Sequence, residues 1–304
     1  MLRYMDLIQN PRRFLALTGH TVDEFQALLS FFRVRFLAYV SMFTLEGKPR
    51  QNRRYSPYKN STFATLEDML LFILNYMKTY LLQQSHAQAY GMQQSQACQW
   101  IHFLLPLVKQ YLAECGELPD RNQADSNLDS GEAGLFFHDG TERPINRPQD
   151  PEEQELYYSG KKKQCTVKND ILINDRCKIC FLSDTVEGRR NDKRLADESG
   201  YRVPQGSTLV QDAGFQGFRL EGVSILQPKK KPRGGELSYA DKVRNRLISS
   251  IRVRIEHAIG GVKRYRIVKD KLRNWKLGFS DLVFAICINQ LLISIAYLNP
   301  DNLS

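Results

Sequence analysis

A chain of 304 residues has room for one sizeable catalytic domain and a small accessory one, and its 42% hydrophobic and 11% aromatic content excludes a disordered polymer. Lys and Arg number 43 against 33 Asp and Glu, a net +10 with neutral His, which suits a polyanionic partner such as nucleic acid. No apolar run reaches the ~18 residues that a membrane span needs. The nearest, Leu282 to Leu298, is broken by Asn289 and Gln290 and reads as a buried C-terminal helix. Residues 1–20 carry Arg3, Arg12 and Arg13 without a continuous apolar stretch, so no secretory signal is expected there. The six cysteines are then expected as reduced thiols in the cytoplasm.

In chain order, residues 1–60 are a basic lead-in. Thr21 with Glu24 three residues on has the form of a capping box, and Phe25, Leu28, Leu29, Phe32 and Phe36 supply the apolar stripe of a helix reaching Phe43. The stretch from Glu46 to Thr62 is rich in Arg, Lys, Pro, Asn and Ser and reads as an arm. Thr65 and Asp68 open a second helix through Leu70, Ile73, Leu74 and Met77. A short helix near Ser85 to Tyr90, a turn at Gly91 and a longer helix from Ser95 to Glu114, with Pro106 expected to kink it, follow. Short helix, turn and longer helix outline a helix-turn-helix, an outline shared with an ordinary bundle. Residues 118–133 are polar, and the domain boundary is placed there.

Beyond the boundary the pattern turns to strands. Gly134 to Asp139 is a short apolar strand, with Gly140 where the chain is expected to turn. Gln164 to Ile173 and Arg176 to Leu182 alternate around Asn174-Asp175 as a hairpin. Cys177 and Cys180 fall in this run; with no second ligand pair at suitable spacing they read as structural, not as half a zinc site. Leu209 to Gln211 is a fourth strand ending at Asp212, and Val223 to Leu226 a fifth. A long helix is expected from Ser238 to Tyr265.

Two of the acids, Asp139 and Asp212, end strands and are followed by small residues, which aims them into the crevice where α/β sheets bind ligands. A third, Glu256, lies on the long helix. At ~100° per residue Arg252 and Lys263 share its face, while Ile248, Ile251, Ile255, Ile259 and Val262 form the stripe that packs on the sheet. Any one of these acids alone would read as a solvated surface group; the order and placement of all three sets them apart.

That order resembles DDE transposases, whose catalytic core is a ribonuclease-H-like mixed sheet flanked by helices. Arg252-x3-Glu256-x6-Lys263 is similar to the signature around the glutamate in insertion-sequence transposases of the fourth and fifth families, although Ser249 stands where a Tyr is usual. Asp139-Gly-Thr-Glu-Arg-Pro-Ile145, Tyr158-Ser-Gly-Lys-Lys162 and Asp212-Ala-Gly-Phe-Gln-Gly217 resemble the insertion-sequence-five type and its Harbinger relatives. The resemblance implies a basic helical region and arm over 1–60, a helix-turn-helix DNA-binding domain over 61–120 and a DDE catalytic domain over 130–304. It implies that Asp139, Asp212 and Glu256 are catalytic and hold two Mg²⁺ (or Mn²⁺) ions, with Asp139 bridging both. Two ions ~3.5–4 Å apart stabilise the attacking and leaving oxygens of an in-line displacement at phosphorus together. The partners implied are double-stranded DNA, as transposon ends and target, and a second copy of the chain on that DNA, in the nucleoid and away from membranes.

Among accessory residues, Lys263 and Arg252 are expected at DNA phosphates, or paired with Glu256 along the helix. Lys161, Lys162 and Lys163 form one basic cluster and Lys229, Lys230, Lys231 and Arg233 another; both are expected to contact phosphates. His138, as the strand neighbour of Asp139, is expected to pack on the opposite face, and His257 falls ~100° from Glu256 on the wheel. The alternative is a DNA-binding protein derived from a transposase that no longer transposes. A zinc hydrolase is disfavoured by the lack of a His/Cys ligand set.

Overall fold

Short polar side chains at the right places start most of the longer helices. Thr21 accepts from the Glu24 amide while Glu24 accepts from the Thr21 amide, Thr65 accepts from Asp68, and Ser238 from Asp241. The computed structural model describes residues 1–51, 55–56, 61–114, 118–121, 128, 131–232 and 234–298, and the side chains of these except 111, 114 and 289–298. Its elements run α1 (Tyr4–Leu7), α2 (Pro11–Thr18), α3 (Val22–Met42), α4 (Leu66–Thr79), α5 (Gln83–Ala89), α6 (Gln94–Glu114), β1 (Leu135–Pro144), α7 (Pro151–Tyr157), β2 (Tyr158–Ser159) and β3 (Gln164–Asn174). They continue with β4 (Ile179–Leu182), β5 (Val186–Glu187), α8 (Asp192–Ser199), β6 (Thr208–Gln211), β7 (Ser224–Leu226), α9 (Tyr239–Val262), α10 (Arg266–Lys269) and α11 (Phe279–Leu298). Among the described residues no helix is long and apolar enough to cross a membrane.

Two compact units emerge. The first takes the described residues of Met1–Glu117, Arg264–Asp270 and Leu282–Ser304. Its centre is α4, buried from Asp68 to Met77 on every side, as an all-round apolar helix must be. The two polar residues trapped there are satisfied: Asp68 accepts from the Tyr4 amide at 2.8 Å and from Arg3 at 2.9 Å, and Asn75 donates to the Leu17 carbonyl at 2.9 Å. Helices α5 and α6 are joined through Gly91, whose φ of +67° is a left-handed turn. The longer α6 runs through Pro106 as one helix.

His86, on α5, is fully buried among Phe72, Tyr76 and Tyr90, and its Nε2 meets the Phe72 carbonyl at 3.2 Å. Burial drives its imidazole from 6.5 down to about 4. A folded value below the unfolded one favours the neutral ring, so this contribution is whole above pH 6.5 and is lost as pH falls towards 4. The expected loss over that window is about 3 kcal/mol. Urea unfolding followed by Trp100 fluorescence in a Trp275→Phe background measures it; His86→Gln should flatten the dependence, and an equal slope in both proteins would refute the assignment.

The second unit takes the described residues of Leu118–Lys263 and Lys271–Asp281. Its mixed sheet is ordered β2-β3-β1-β6-β7, with β1, β6 and β7 parallel and β3 antiparallel to β1. The outer edge of β3 is shared by β2, β5 and β4. On one face α8 covers a core of Phe136, Leu172, Phe181, Ala196, Tyr201, Leu209, Phe215 and Phe218. Helix α9 packs against β1 with Ile248, Ile255, Ala258 and Val262 buried. This is the mixed sheet flanked by helices that the sequence resemblance implied. The hairpin turn is longer than Asn174-Asp175 alone: it runs to Lys178, with the Asn174 side chain accepting from the Arg176 and Lys178 amides and Cys177 at φ +61°.

Candidate active site

Register decides what meets at the centre of the sheet. β1 and β6 pair in parallel from Leu135 opposite Thr208 to His138 opposite Gln211, so the next residue on each, Asp139 and Asp212, comes abreast. There β6 stops, whereas β1 continues to Pro144 against β3. The expected turn at Gly140 is therefore corrected: Asp139 lies within a ten-residue strand, because β3 goes on offering it a partner from Ile171 to Thr166.

Strand alternation points Asp139 away from the α8 face and towards α9. Arg252 reaches across from α9 and spans both acids, with Nη1 3.2 Å from Asp212 Oδ1 and Nη2 3.8 Å from Asp139 Oδ1. Arg252 thus turns to the two aspartates and not along the helix to Glu256. Asp139 is the more enclosed acid, its side chain 23% exposed against 40% for Asp212. Burial is the main force on its carboxyl, opposed by Arg252 and reinforced by Asp212, and together they raise it to about 6. Asp212 accepts from the Ala213 amide at 2.6 Å, and its carbonyl accepts from Gln227 at 2.5 Å, which ties the loop after β6 to the end of β7.

The other expected residues fall into place unevenly. Glu256 is exposed on α9 and makes no hydrogen bond or ion pair among the described residues, where no three His, Cys, Asp or Glu side chains form a metal-sized group. Lys263 is half-buried; burial lowers its ammonium, helped by Lys162 and opposed by Asp139, so Lys263 lies within electrostatic reach of both Lys162 and the enclosed acid. Lys161 and Lys163 are exposed beside Lys162. Lys229 is tied to the start of α9, its ammonium 2.7 Å from Asp241 and its amide 2.9 Å from Asn245. Lys230 and Lys231 are exposed, and Arg233 lies outside the described residues. His257 is exposed. His138 packs on the opposite face from Asp139, as alternation required, against Phe215 and Tyr201.

A model of the DDE superfamily endonuclease family matches residues 138–289, half of the chain, and that span carries Asp139, Asp212 and Glu256. The chain belongs to the DDE superfamily of endonucleases. A second family model, the helix-turn-helix of DDE superfamily endonuclease, matches residues 65–114, the segment of α4, α5 and α6. Two curated relatives are transposase-like. One, named "Probable transposase for insertion sequence element IS702", from Microchaete diplosiphon, is 26% identical over 69% of this chain and 74% of its own length. Another, named "Putative transposase for insertion sequence element IS112", from Streptomyces albus G, is 24% identical over 67% of this chain and 72% of its own. No solved structure matches.

DDE endonucleases work with divalent metal, and the residues here suit one. Two hard oxygen donors lie abreast and already converge on a cation, the Arg252 guanidinium. Metal uptake by this pair of carboxylates would have to expel the proton that Asp139 holds below about 6. Mn²⁺ affinity of the DNA-free protein is therefore expected to be level above that pH and to fall about tenfold per unit below it, a dependence that titration calorimetry can follow. A pH-independent affinity between 5 and 7 would refute it.

Sequence reasoning missed a polar layer on the other face of the same strands. His138 Nε2 lies 2.5 Å from Asp170 with both side chains fully buried. Two pairs further on, Glu142 accepts from Thr166 at 3.1 Å, and the buried Lys168 ammonium lies 3.7 Å from Glu142 and 2.7 Å from Asp192. The signal in the sequence was a strand, Lys168-Asn169-Asp170, polar on three consecutive residues.

Proposed function

We propose that this DDE endonuclease is a transposase of the insertion-sequence-five type, which binds terminal inverted repeats through α5 and α6 and cuts and joins DNA at Asp139, Asp212 and Glu256. The observation that carries the reading is the β1–β6 register, which sets Asp139 and Asp212 side by side under one cationic side chain. Asp139 and Asp212 would hold the metal, with Glu256, one helical turn beyond Arg252, as the third ligand by its place in the sequence. Bound there, two Mg²⁺ or Mn²⁺ ions would polarise the phosphate and stabilise the oxygens that attack and leave.

The chain's own residues supply the rest. Arg252 neutralises the paired carboxylates until a phosphate arrives and then offers a planar donor pair to it. Lys263, beside Asp139, and Lys162, beside Lys263, draw the DNA backbone against the acids, and their mutual repulsion is relieved by the phosphate's charge. Lys161, Lys230 and Lys231 extend the basic track, with at least two copies of the protein on the paired ends. Replacing Lys229, Lys230 and Lys231 by Ala should reduce the slope of log affinity against log salt by about 1–2, since each phosphate contact contributes ~0.9. An unchanged slope removes this loop from the DNA path.

Incubation with end-containing duplex DNA and Mg²⁺ or Mn²⁺ tests the whole reading. Metal-dependent nicking at the ends supports it. Tight binding with no nicking in either metal would overturn it in favour of a DNA-binding derivative that has lost transposition.

A further inference from the structure

Asp192 opens α8 and belongs to no part of the site described so far, yet both acid-bearing segments rest on it. A Cβ built on Gly140, the residue after Asp139, would meet Asp192 Oδ1 at 3.4 Å, and one on Gly214, two residues after Asp212, would meet Oδ2 at 2.8 Å. Neither glycine has a positive φ, so the backbone does not demand glycine at either position. Space demands it. The carboxylate that fills this space is itself fixed: Lys168, 6% exposed, donates to Asp192 Oδ1 at 2.7 Å and to the Arg190 carbonyl at 2.8 Å, and Asn191 caps the helix that Asp192 begins. Asp192 thus contacts the two segments on the α8 face, whereas Asp139 points to the α9 side.

We propose that Asp192 is a positioning residue, a spacer held by Lys168 that sets the separation of the Asp139 and Asp212 segments and so of the carboxylates they carry. The inference rests on the reading of Asp139 and Asp212 as a metal-holding pair. Register aligns the two acids along the strands, but beyond His138 and Gln211 no β1–β6 ladder holds the chains together. The distance between them is then open to adjustment, and the Asp192 carboxylate, in contact with both sides, closes it. Side chains that orient metal ligands without touching the metal typically change affinity or activity 10–100-fold when removed.

The test is a cycle of Gly214→Ala, Asp192→Ser and the double variant, read by Mn²⁺ affinity of the DNA-free protein, single-turnover cleavage and unfolding midpoint. Gly214 is exposed, so its alanine variant is expected to fold. It should lose about tenfold or more in Mn²⁺ affinity, with cleavage falling in step, because the new methyl pushes the Asp212 segment off Asp192. Adding Asp192→Ser to that variant should restore affinity at least about threefold, since the shorter side chain makes room for the methyl. A merely structural role would lower the midpoint without this recovery. Equal losses from Gly214→Ala in the parent and in the Asp192→Ser background would overturn the proposal, as would Mn²⁺ affinity within about twofold of the parent in both single variants. Should the parent protein bind no Mn²⁺ and cut nothing, the functional reading fails by itself. The spacer is then judged on unfolding midpoints, where coupling between positions 192 and 214 upholds it and additivity overturns it.

Discussion

Asp139→Asn is expected to reduce single-turnover DNA cleavage by about 1000-fold or more, equivalent to about 4 kcal/mol of transition-state stabilisation, while leaving DNA affinity intact or slightly raised. The amide keeps the size and shape of the carboxylate, so β1 and its pairing with β3 should be undisturbed. What it removes is the charge. Asp139 is the more enclosed of the two acids, and a desolvated anion is worth most to a divalent cation because little water competes for it. An amide oxygen is a weaker ligand, and its nitrogen presents hydrogens where the ion would sit. In the metal-free protein Arg252 would keep Asp212, the nearer of its partners at 3.2 Å, so the local fold retains its cation. One fewer negative charge beside Lys263 lessens repulsion of phosphate, which is why binding should not suffer. Fluorescence anisotropy on a labelled end, alongside gel-resolved cleavage, separates the two effects. Residual cleavage above a tenth of the parent rate would remove Asp139 from the chemistry.

Much of this site could be read before any coordinates, and what could not has identifiable causes. Asp139 and Asp212 stood out because each follows a short apolar run, and the Thr21–Glu24 box gave its helix start directly, since capping is a matter of residues three apart. Gly140 misled for a tertiary reason: a glycine after a strand suggests a turn, whereas here β3 places Asp170 opposite it and carries the pairing on to Pro144, which no local pattern reveals. The helical wheel placed Arg252, Glu256 and Lys263 on one face but carries no reach. Arg252, with its longer side chain, arrives at both aspartates, while Glu256 on the next turn stays in solvent. Burial of Lys168, Asn169 and Asp170 was likewise hidden, because their partners come from β1, from Ser183 and Thr185, and from Asp192, at separations of 14 to 32 residues.

The largest effect on stability is expected from Asp170→Ala, about 3–5 kcal/mol in the second unit. Asp170 sits opposite Gly140, one residue beyond Asp139, and its carboxylate and His138 are both fully enclosed beneath Phe215, Tyr201 and Phe218. Burial pushes its carboxyl upward and His138 opposes that shift by charge and hydrogen bond, so losing either partner leaves the other buried and unpaired. Alanine leaves the buried His138 ring nitrogen without its partner and adds the void left by the carboxyl. Asp170→Asn keeps an acceptor oxygen in place and should cost about 1 kcal/mol, which distinguishes loss of the hydrogen bond from loss of charge. Amide hydrogen exchange of the β1 and β3 ladder reports the unfolding of this unit without interference from the helical one. A loss below about 1 kcal/mol for the alanine variant would mean that the pair contributes little to folding. If the expected loss is found, the strand that presents Asp139 on one face is held by a buried acid–imidazole pair on the other. Activity of Asp170→Ala should then recover on cooling or in stabilising osmolyte, whereas that of Asp139→Asn should not.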